Sequence, residues 1–247
     1  MKILGIIPAR YASTRFPGKP LVDVGGKTLI QRVYEQSIKS DLIADLVVAT
    51  DDIRIKDHVE SFGGKALLTS ETHPSGTDRC AEAYLQLKID NDYDYILNIQ
   101  GDEPFIRTEL IDEVIDLLDF KTEIATAVKR IKDLETLEDA NVVKAVLTMR
   151  KQALYFSRQA IPFVRGVERE DWLEHGEFFK HIGIYAFRND VLEQIVKLPT
   201  NVLENTEKLE QLRWIGYGYK IMVKETEYDS VGIDTPEDLK GLGFKQQ

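Results

Sequence analysis

The sequence predicts an α/β fold: a doubly wound, mostly parallel central sheet carrying an added second part. Three observations predict it. Strand-length apolar runs alternate with segments of helical spacing from Ile3 to Val128. The first and fourth runs end in charged or polar loops. Beyond Asn141 the alternation weakens, and strand-like pairs replace it.

Ile3–Ile7 is an apolar run stopped by Pro8, and the loop after it carries Arg10, Ser13, Thr14, Arg15 and Lys19. Cations and hydroxyls just past a buried strand suggest an anion site at the strand's carboxyl end, where open α/β sheets bind ligands. Arg grips phosphate oxygens at two points and Lys adds a compact charge, so the pattern suits a polyphosphate. A solvated basic loop has the same composition, but Pro17-Gly18 argues for a shaped turn. Neither the P-loop pattern nor the dinucleotide glycine fingerprint occurs.

Leu29–Ser40 keeps helical spacing, Asp45–Thr50 is a second strand ending in Asp51-Asp52, and Ile53–Phe62 is a helix closed by Gly63-Gly64. Lys65–Leu68 is a third strand. His73–Arg79 is a polar turn before a helix from about Asp78 to Leu87, with Thr77 or Asp78 as cap. Tyr95–Ile99 is a strand running into Gln100-Gly101-Asp102-Glu103-Pro104, followed by a helix from Thr108 to Asp119 and a strand from Ile124 to Val128. Val142–Thr148 and Ala153–Ser157 read as a hairpin, Phe178–Phe187 as a strand, Glu204–Trp214 as one helix and Ile221–Val223 as a short strand. A last helix follows Thr235 as cap, with Pro236 at its first position. No linker interrupts the chain, so it reads as a single domain over 1–247, with halves at 1–131 and 132–247.

The 247 residues can bury a sizeable core. With 43% hydrophobic and 30% charged residues and no long apolar run, no membrane span is expected. One cysteine, Cys80, excludes an internal disulfide and a Cys-based metal cluster, and no signal peptide is apparent, so the cytoplasm is the expected compartment. A net charge of -10 argues against nucleic acid as a partner.

Asp102 lies at a strand's carboxyl end, as Arg10 does, and a carboxylate there beside a polyphosphate suits Mg²⁺. The same residues also read as an acidic turn. Asp234, just before a helix, is a second candidate, although dipole compensation is its simplest role.

Ile6–Leu21, IIPARYASTRFPGKPL, closely resembles the opening signature of the cytidylyltransferases that activate 3-deoxy-D-manno-octulosonate (Kdo), a branch of the GT-A-like nucleotidyltransferases. QGDEP (100–104) and GIDTPEDL (232–239) resemble that family's metal-binding segments, which implies a Mg²⁺ cofactor on Asp102 and Asp234. HPSGTDR (73–79) resembles the segment lying along the nucleotide, with Asp78 where the family has Glu. The resemblance thus implies Arg10, Thr14, Arg15, Lys19, Ser75, Gly76 and Arg79 around CTP. LYFSR (154–158), HIGIYAF (181–187) and LEQLR (209–213) resemble the sugar-acid segments, implying Arg158, His181, Tyr185, Glu210 and Gln211, together with Gln100, around Kdo. From the residues alone these read as a hairpin cation, a strand histidine and a solvated helix face.

The expectation is therefore a nucleotide-diphospho-sugar transferase fold that transfers CMP from CTP to Kdo, using Arg10, Lys19, Asp102 and Asp234, in a homodimer. A cytidylyltransferase for 8-amino-Kdo or sialic acid is the nearest rival. A nicotinamide oxidoreductase and a nucleotide-binding regulatory module are more distant ones.

Overall fold

The computed structural model describes residues 1–12, 16–89, 92–229 and 231–241. The first half contains β1 (Ile3–Ala9), α1 (Leu29–Ser37), β2 (Asp45–Thr50), α2 (Ile53–Ser61), β3 (Ala66–Leu68), α3 (Gly76–Leu87), β4 (Tyr95–Asn98), α4 (Thr108–Ile115) and β5 (Ile124–Arg130). Then follow α5 (Leu134–Glu138), β6 (Lys144–Leu147), β7 (Ala153–Ser157), α6 (Trp172–His175), β8 (Phe179–Arg188), α7 (Asn189–Ile195), α8 (Val202–Glu207), α9 (Gln211–Gly216), β9 (Ile221–Thr226) and α10 (Pro236–Gly241). No helix among the described residues is long and apolar enough to cross a membrane.

The chain's contacts form two compact units. One comprises Met1–Asp112, Ala186–Val196 and Ser230–Gln247, the other Glu113–Tyr185 and Lys197–Asp229. This grouping does not follow the sequence boundary at 131, because the chain returns twice to the first unit. Asn189, for example, donates its amide to the Asp94 carbonyl and its side chain to that of Tyr93.

In the first unit the strands run β3-β2-β1-β4, with the end of β8 next. β1 pairs in parallel with β2 (Leu4 opposite Asp45) and with β4 (Ile3 opposite Tyr95), as the mostly parallel expectation requires. Ile3, Leu4, Ile6 and Ile7 are all buried, which is why β1 reads as continuous rather than alternating apolar sequence. Thr28 caps α1 by accepting from the Gln31 amide, and the face holding Leu29, Ile30 and Val33 is buried. From β1 the chain winds outward to β2 and β3, then returns to β4 on the opposite side. The crevice between the carboxyl ends of β1 and β4 is thus the switch point where such sheets bind ligands.

In the second unit β5 pairs in parallel with β9, while β6 pairs antiparallel with β7 and with the start of β8. The predicted hairpin is present. A satellite core joins Ile131, Leu137, Trp172 and Phe178, with the Trp172 and Phe178 rings stacked.

Two local expectations are corrected. α3 starts at Gly76, because Ser75 is its cap: the Ser75 hydroxyl accepts from the Asp78 amide and donates to the Asp78 carboxylate. The helix expected over Glu204–Trp214 is two helices, divided where Lys208 takes a left-handed conformation (φ 54°).

Candidate active site

The site is built from loops at the carboxyl ends of β1 and β4. Gly18 has φ 71°, and a Cβ there would meet the Tyr11 ring at 3.2–3.3 Å. The expected Pro17-Gly18 turn therefore demands glycine. Its amide donates to the Tyr11 carbonyl at 2.9 Å, and a 3-10 turn over Lys19–Leu21 follows. Tyr11 is held in turn by the Arg54 guanidinium, 3.4 Å from its ring centre. This fixes Lys19, whose side chain is only 14% exposed.

Lys19 Nζ donates to Asp102 Oδ2 at 2.9 Å and to Asp234 Oδ1 at 3.1 Å. Asp102 reaches this point because Gly101 passes close to the end of β1; a Cβ on Gly101 would lie 2.6 Å from the Pro8 carbonyl oxygen. The Asp102 carbonyl accepts from the Ile233 amide at 2.9 Å, which places Asp234 alongside. Asp238 braces the segment: its Oδ2 accepts from the Asp234 and Thr235 amides. Burial alone would raise the Asp238 carboxyl, but those amides and the Thr235 hydroxyl outweigh it and hold the group below its ordinary value.

Around this triad is a cavity of about 250 Å³ lined by Arg10, Lys19, Ser75, Gly76, Arg79, Gln100, Asp102 and Asp234. The nucleotide-side and carboxylate candidates thus converge, with two exceptions: Thr14 and Arg15 lie outside the described residues. Arg10 is exposed and makes no ion pair among the described residues. Ser75 and Gly76 bring the start of α3 to the cavity wall, where a helix's free amides favour an anion. Arg79 is committed to the protein as well. Its Nη1 donates to the Thr69 hydroxyl at 2.5 Å and its Nη2 to Asp51 at 2.9 Å, in a pair with both side chains largely buried.

Asp51 and Thr69 are the residues sequence reasoning missed as parts of this site, while His73 was read only as the start of the HPSGTDR segment. Asp51 had a signal: it follows an apolar strand, as Arg10 and Asp102 do. His73 lines the cavity and is tied to Glu82, which also accepts from the Ser70 amide.

Among the described residues no group of three or more His, Cys, Asp or Glu side chains is placed to hold a metal. Two carboxylates converging on one ammonium fit a different cation site, one that takes two protein oxygens and completes its shell with water and phosphate. Their partial exposure, 31% and 44%, leaves room for those ligands.

Of the sugar-side candidates, Gln100 lies in the first unit and lines the cavity above, while Arg158, His181, Tyr185, Glu210 and Gln211 belong to the second unit. Arg158 donates Nε to the Glu207 carbonyl at 2.9 Å and Nη1 to the Ala140 carbonyl at 3.1 Å. Its side chain forms no ion pair among the described residues, although its backbone amide donates to Glu207 Oε2 at 3.0 Å. Lys144, wholly buried, donates to the Asp139 and Val142 carbonyls and so holds the turn that carries Ala140. His181 stacks edge-on with Phe156 and packs against Tyr185. Burial pushes His181 down to about 3 and, with the Glu210 charge, pushes Tyr185 up. The LEQLR helix is not a solvated face. Arg213 and Gln211 are buried, and Glu210 accepts from Arg213 at 2.7 Å.

A basic loop and two carboxylates at the switch point of a parallel sheet are the fold and site of a nucleotidyltransferase. The cytidylyltransferase family profile matches residues 4–222. The chain is 53% identical to the 3-deoxy-manno-octulosonate cytidylyltransferase of Parabacteroides distasonis over 99% of its own length and 98% of that protein's. With that of Phocaeicola vulgatus the identity is 54% over 97% and 95%. The chain belongs to the 3-deoxy-manno-octulosonate cytidylyltransferase family. A solved CMP:2-keto-3-deoxy-manno-octonic acid synthetase in complex with CTP superposes with a TM-score of 0.90, at 40% identity over 98% of this chain and 97% of that one. The 4-diphosphocytidyl-2C-methyl-D-erythritol synthase of Anaerococcus prevotii (TM-score 0.64, 18% identity, 97% and 95% covered) shares the fold.

Proposed function

We propose that this enzyme transfers CMP from CTP to the anomeric hydroxyl of Kdo, giving CMP-Kdo and pyrophosphate for lipopolysaccharide synthesis in the cytoplasm. The observation that carries the reading is the convergence of Asp102 and Asp234 on Lys19, beside Arg10 and the start of α3.

The sugar hydroxyl oxygen attacks the α-phosphorus of CTP. The bond from that phosphorus to the oxygen bridging it to the β-phosphate breaks, and the hydroxyl proton is lost to solvent. Arg10 and Lys19 neutralise the triphosphate and the leaving pyrophosphate, with Arg15 in the same role. Thr14, Ser75, Gly76 and Arg79 form the rest of the nucleotide cradle, and Arg79 can do so only as a braced cation, because Asp51 and Thr69 hold two of its nitrogens. Asp102 and Asp234 would hold Mg²⁺, which supplies charge neutralisation at the phosphates and acidifies the attacking hydroxyl. The protein's contribution is to position and neutralise.

Arg158 clamps the sugar carboxylate through the edge that its carbonyl partners leave open. Gln100, His181, Tyr185, Glu210 and Gln211 meet the remaining groups. Gln211 supports this assignment: it is buried, and its side chain has no hydrogen-bond partner among the described residues. The enzyme acts as a homodimer, and a monomeric mass by sedimentation at micromolar concentration would remove that part of the reading.

The test is product identification by mass spectrometry after incubation with Mg²⁺, CTP and a panel of Kdo, 8-amino-Kdo and sialic acid. CMP-Kdo as the main product is expected. A CMP conjugate formed preferentially from another sugar acid would overturn the substrate assignment.

A further inference from the structure

Thr126 lies on β5 with no exposed surface, and its one hydroxyl group has three polar neighbours. Oγ1 is 2.7 Å from the Ile184 carbonyl oxygen, 3.2 Å from that of Ile182 and 3.0 Å from His181 Nε2. A hydroxyl has one proton to give and lone pairs to accept with. Two oxygens 2.7 Å apart require a hydrogen between them, and a carbonyl has none, so the Thr126 proton points at a β8 carbonyl. The contact with His181 must then run the other way, with Nε2–H donating to Oγ1. In a neutral imidazole only one nitrogen is protonated, so Nδ1 carries a lone pair. Burial keeps this ring neutral throughout the physiological range, at about 3. Phe156 and Tyr185, with ring centres 5.1 and 5.2 Å away, hold its plane.

We propose that Thr126 is a positioning residue that fixes His181 as its Nε2–H tautomer, making Nδ1 a permanent acceptor for a hydroxyl of the sugar acid. The Nε2–H follows from the geometry around Thr126 and the bare Nδ1 from the neutrality of the ring; the identity of the donor rests on the reading of His181 as a Kdo ligand. Such an acceptor favours a hydroxyl donor and repels carboxylate and phosphate oxygens, so it also discriminates among the groups of a polyhydroxy acid.

The test uses the full-length enzyme labelled with [¹⁵N]histidine. Long-range ¹H–¹⁵N correlation spectra identify the tautomer, and the His181 signals are assigned by their loss in H181Q. The expected pattern between pH 6 and 8 is a protonated Nε2 and an unprotonated Nδ1, with Nδ1 shifting when Kdo is added. T126V should mix the tautomers and raise KM for Kdo about three- to tenfold, the range for one hydrogen bond, with KM for CTP unchanged. T126S, which keeps the hydroxyl, should restore both. A wild-type ring protonated on Nδ1 would overturn the proposal, as would a T126V enzyme whose tautomer and Kdo kinetics match wild type. The tautomer as expected, with Nδ1 unmoved by Kdo, would overturn the acceptor role and the sugar-side reading of His181, while product formation would still judge the overall reaction.

Discussion

The backbone carbonyl of Asp102 accepts the amide of Ile233 at 2.9 Å, and this one bond ties the end of β4 to a segment from the far end of the sequence. Ile233 is fully buried, so its neighbour Asp234 is fixed while its carboxylate stays partly open to solvent. Lys19 then closes the group from the β1 loop. The site is a knot of three loops, and each can be tested separately.

Lys19 touches both carboxylates and lines the cavity at the ends of β1 and β4, so on the proposed reading its loss should be felt through CTP. Lys19→Ala should raise KM for CTP at least tenfold, the scale of a lost charge-assisted hydrogen bond. KM for Kdo should change little, because the contacts removed are those to CTP and its leaving pyrophosphate, and kcat should fall as well. A selective rise in KM for Kdo would mean that this loop faces the other ligand.

The Arg79–Asp51 pair supports the cavity wall from behind. Asp51→Ala leaves a buried guanidinium without its partner, which typically costs about 3–5 kcal/mol. In a chain of this size that is a fall in Tm on the order of 10 °C. Differential scanning calorimetry measures it, and a change of less than about 2 °C would show that the pair adds no more than a surface ion pair does.

Arg158 is braced by two carbonyls, which orient its planar group and leave Nη2 for another acceptor on the proposed reading. A lysine keeps the charge and loses the geometry. Arg158→Lys should lower kcat/KM for Kdo by roughly ten- to a hundredfold and leave CTP binding alone. If the variant instead lost thermal stability with normal Kdo kinetics, Arg158 would be only a hairpin brace.

His181 makes stability depend on pH. Its folded value is about 3 against an ordinary 6.5. Below about pH 6.5 the unfolded chain therefore takes up a proton that the folded chain refuses, and stability falls as the pH drops toward 3. Between pH 7.5 and 5, Tm should fall more steeply in wild type than in H181Q. Parallel curves would show that the ring is solvated.

Much of this was legible in the sequence, and what was not has a physical cause. The β1 and β4 loops stood out because apolar strands buried on both faces end abruptly in charge. The start of α3 was misplaced because Ser, Thr and Asp all cap helices, and only the geometry shows that Ser75 does so here. Asp51 was visible as a residue but not as the partner of Arg79, because β2 and α3 meet only on folding. Thr126 was invisible for the same reason: it reaches His181 across neighbouring strands, 55 positions along the chain. The division of Glu204–Trp214 was hidden because Lys208 is an ordinary helix former with no side-chain signal for a positive φ.

The most direct test of the account is pyrophosphate release by wild type, Asp102→Asn and Asp234→Asn, with CTP and Kdo over a range of Mg²⁺ concentrations. Each substitution keeps side-chain size and removes one charge from a partly exposed position, so the fold should survive. Release by wild type should require both substrates, and turnover should collapse in both variants, most at low Mg²⁺. Near-wild-type rates in either variant at low Mg²⁺, or release by wild type without Kdo, would contradict this reading.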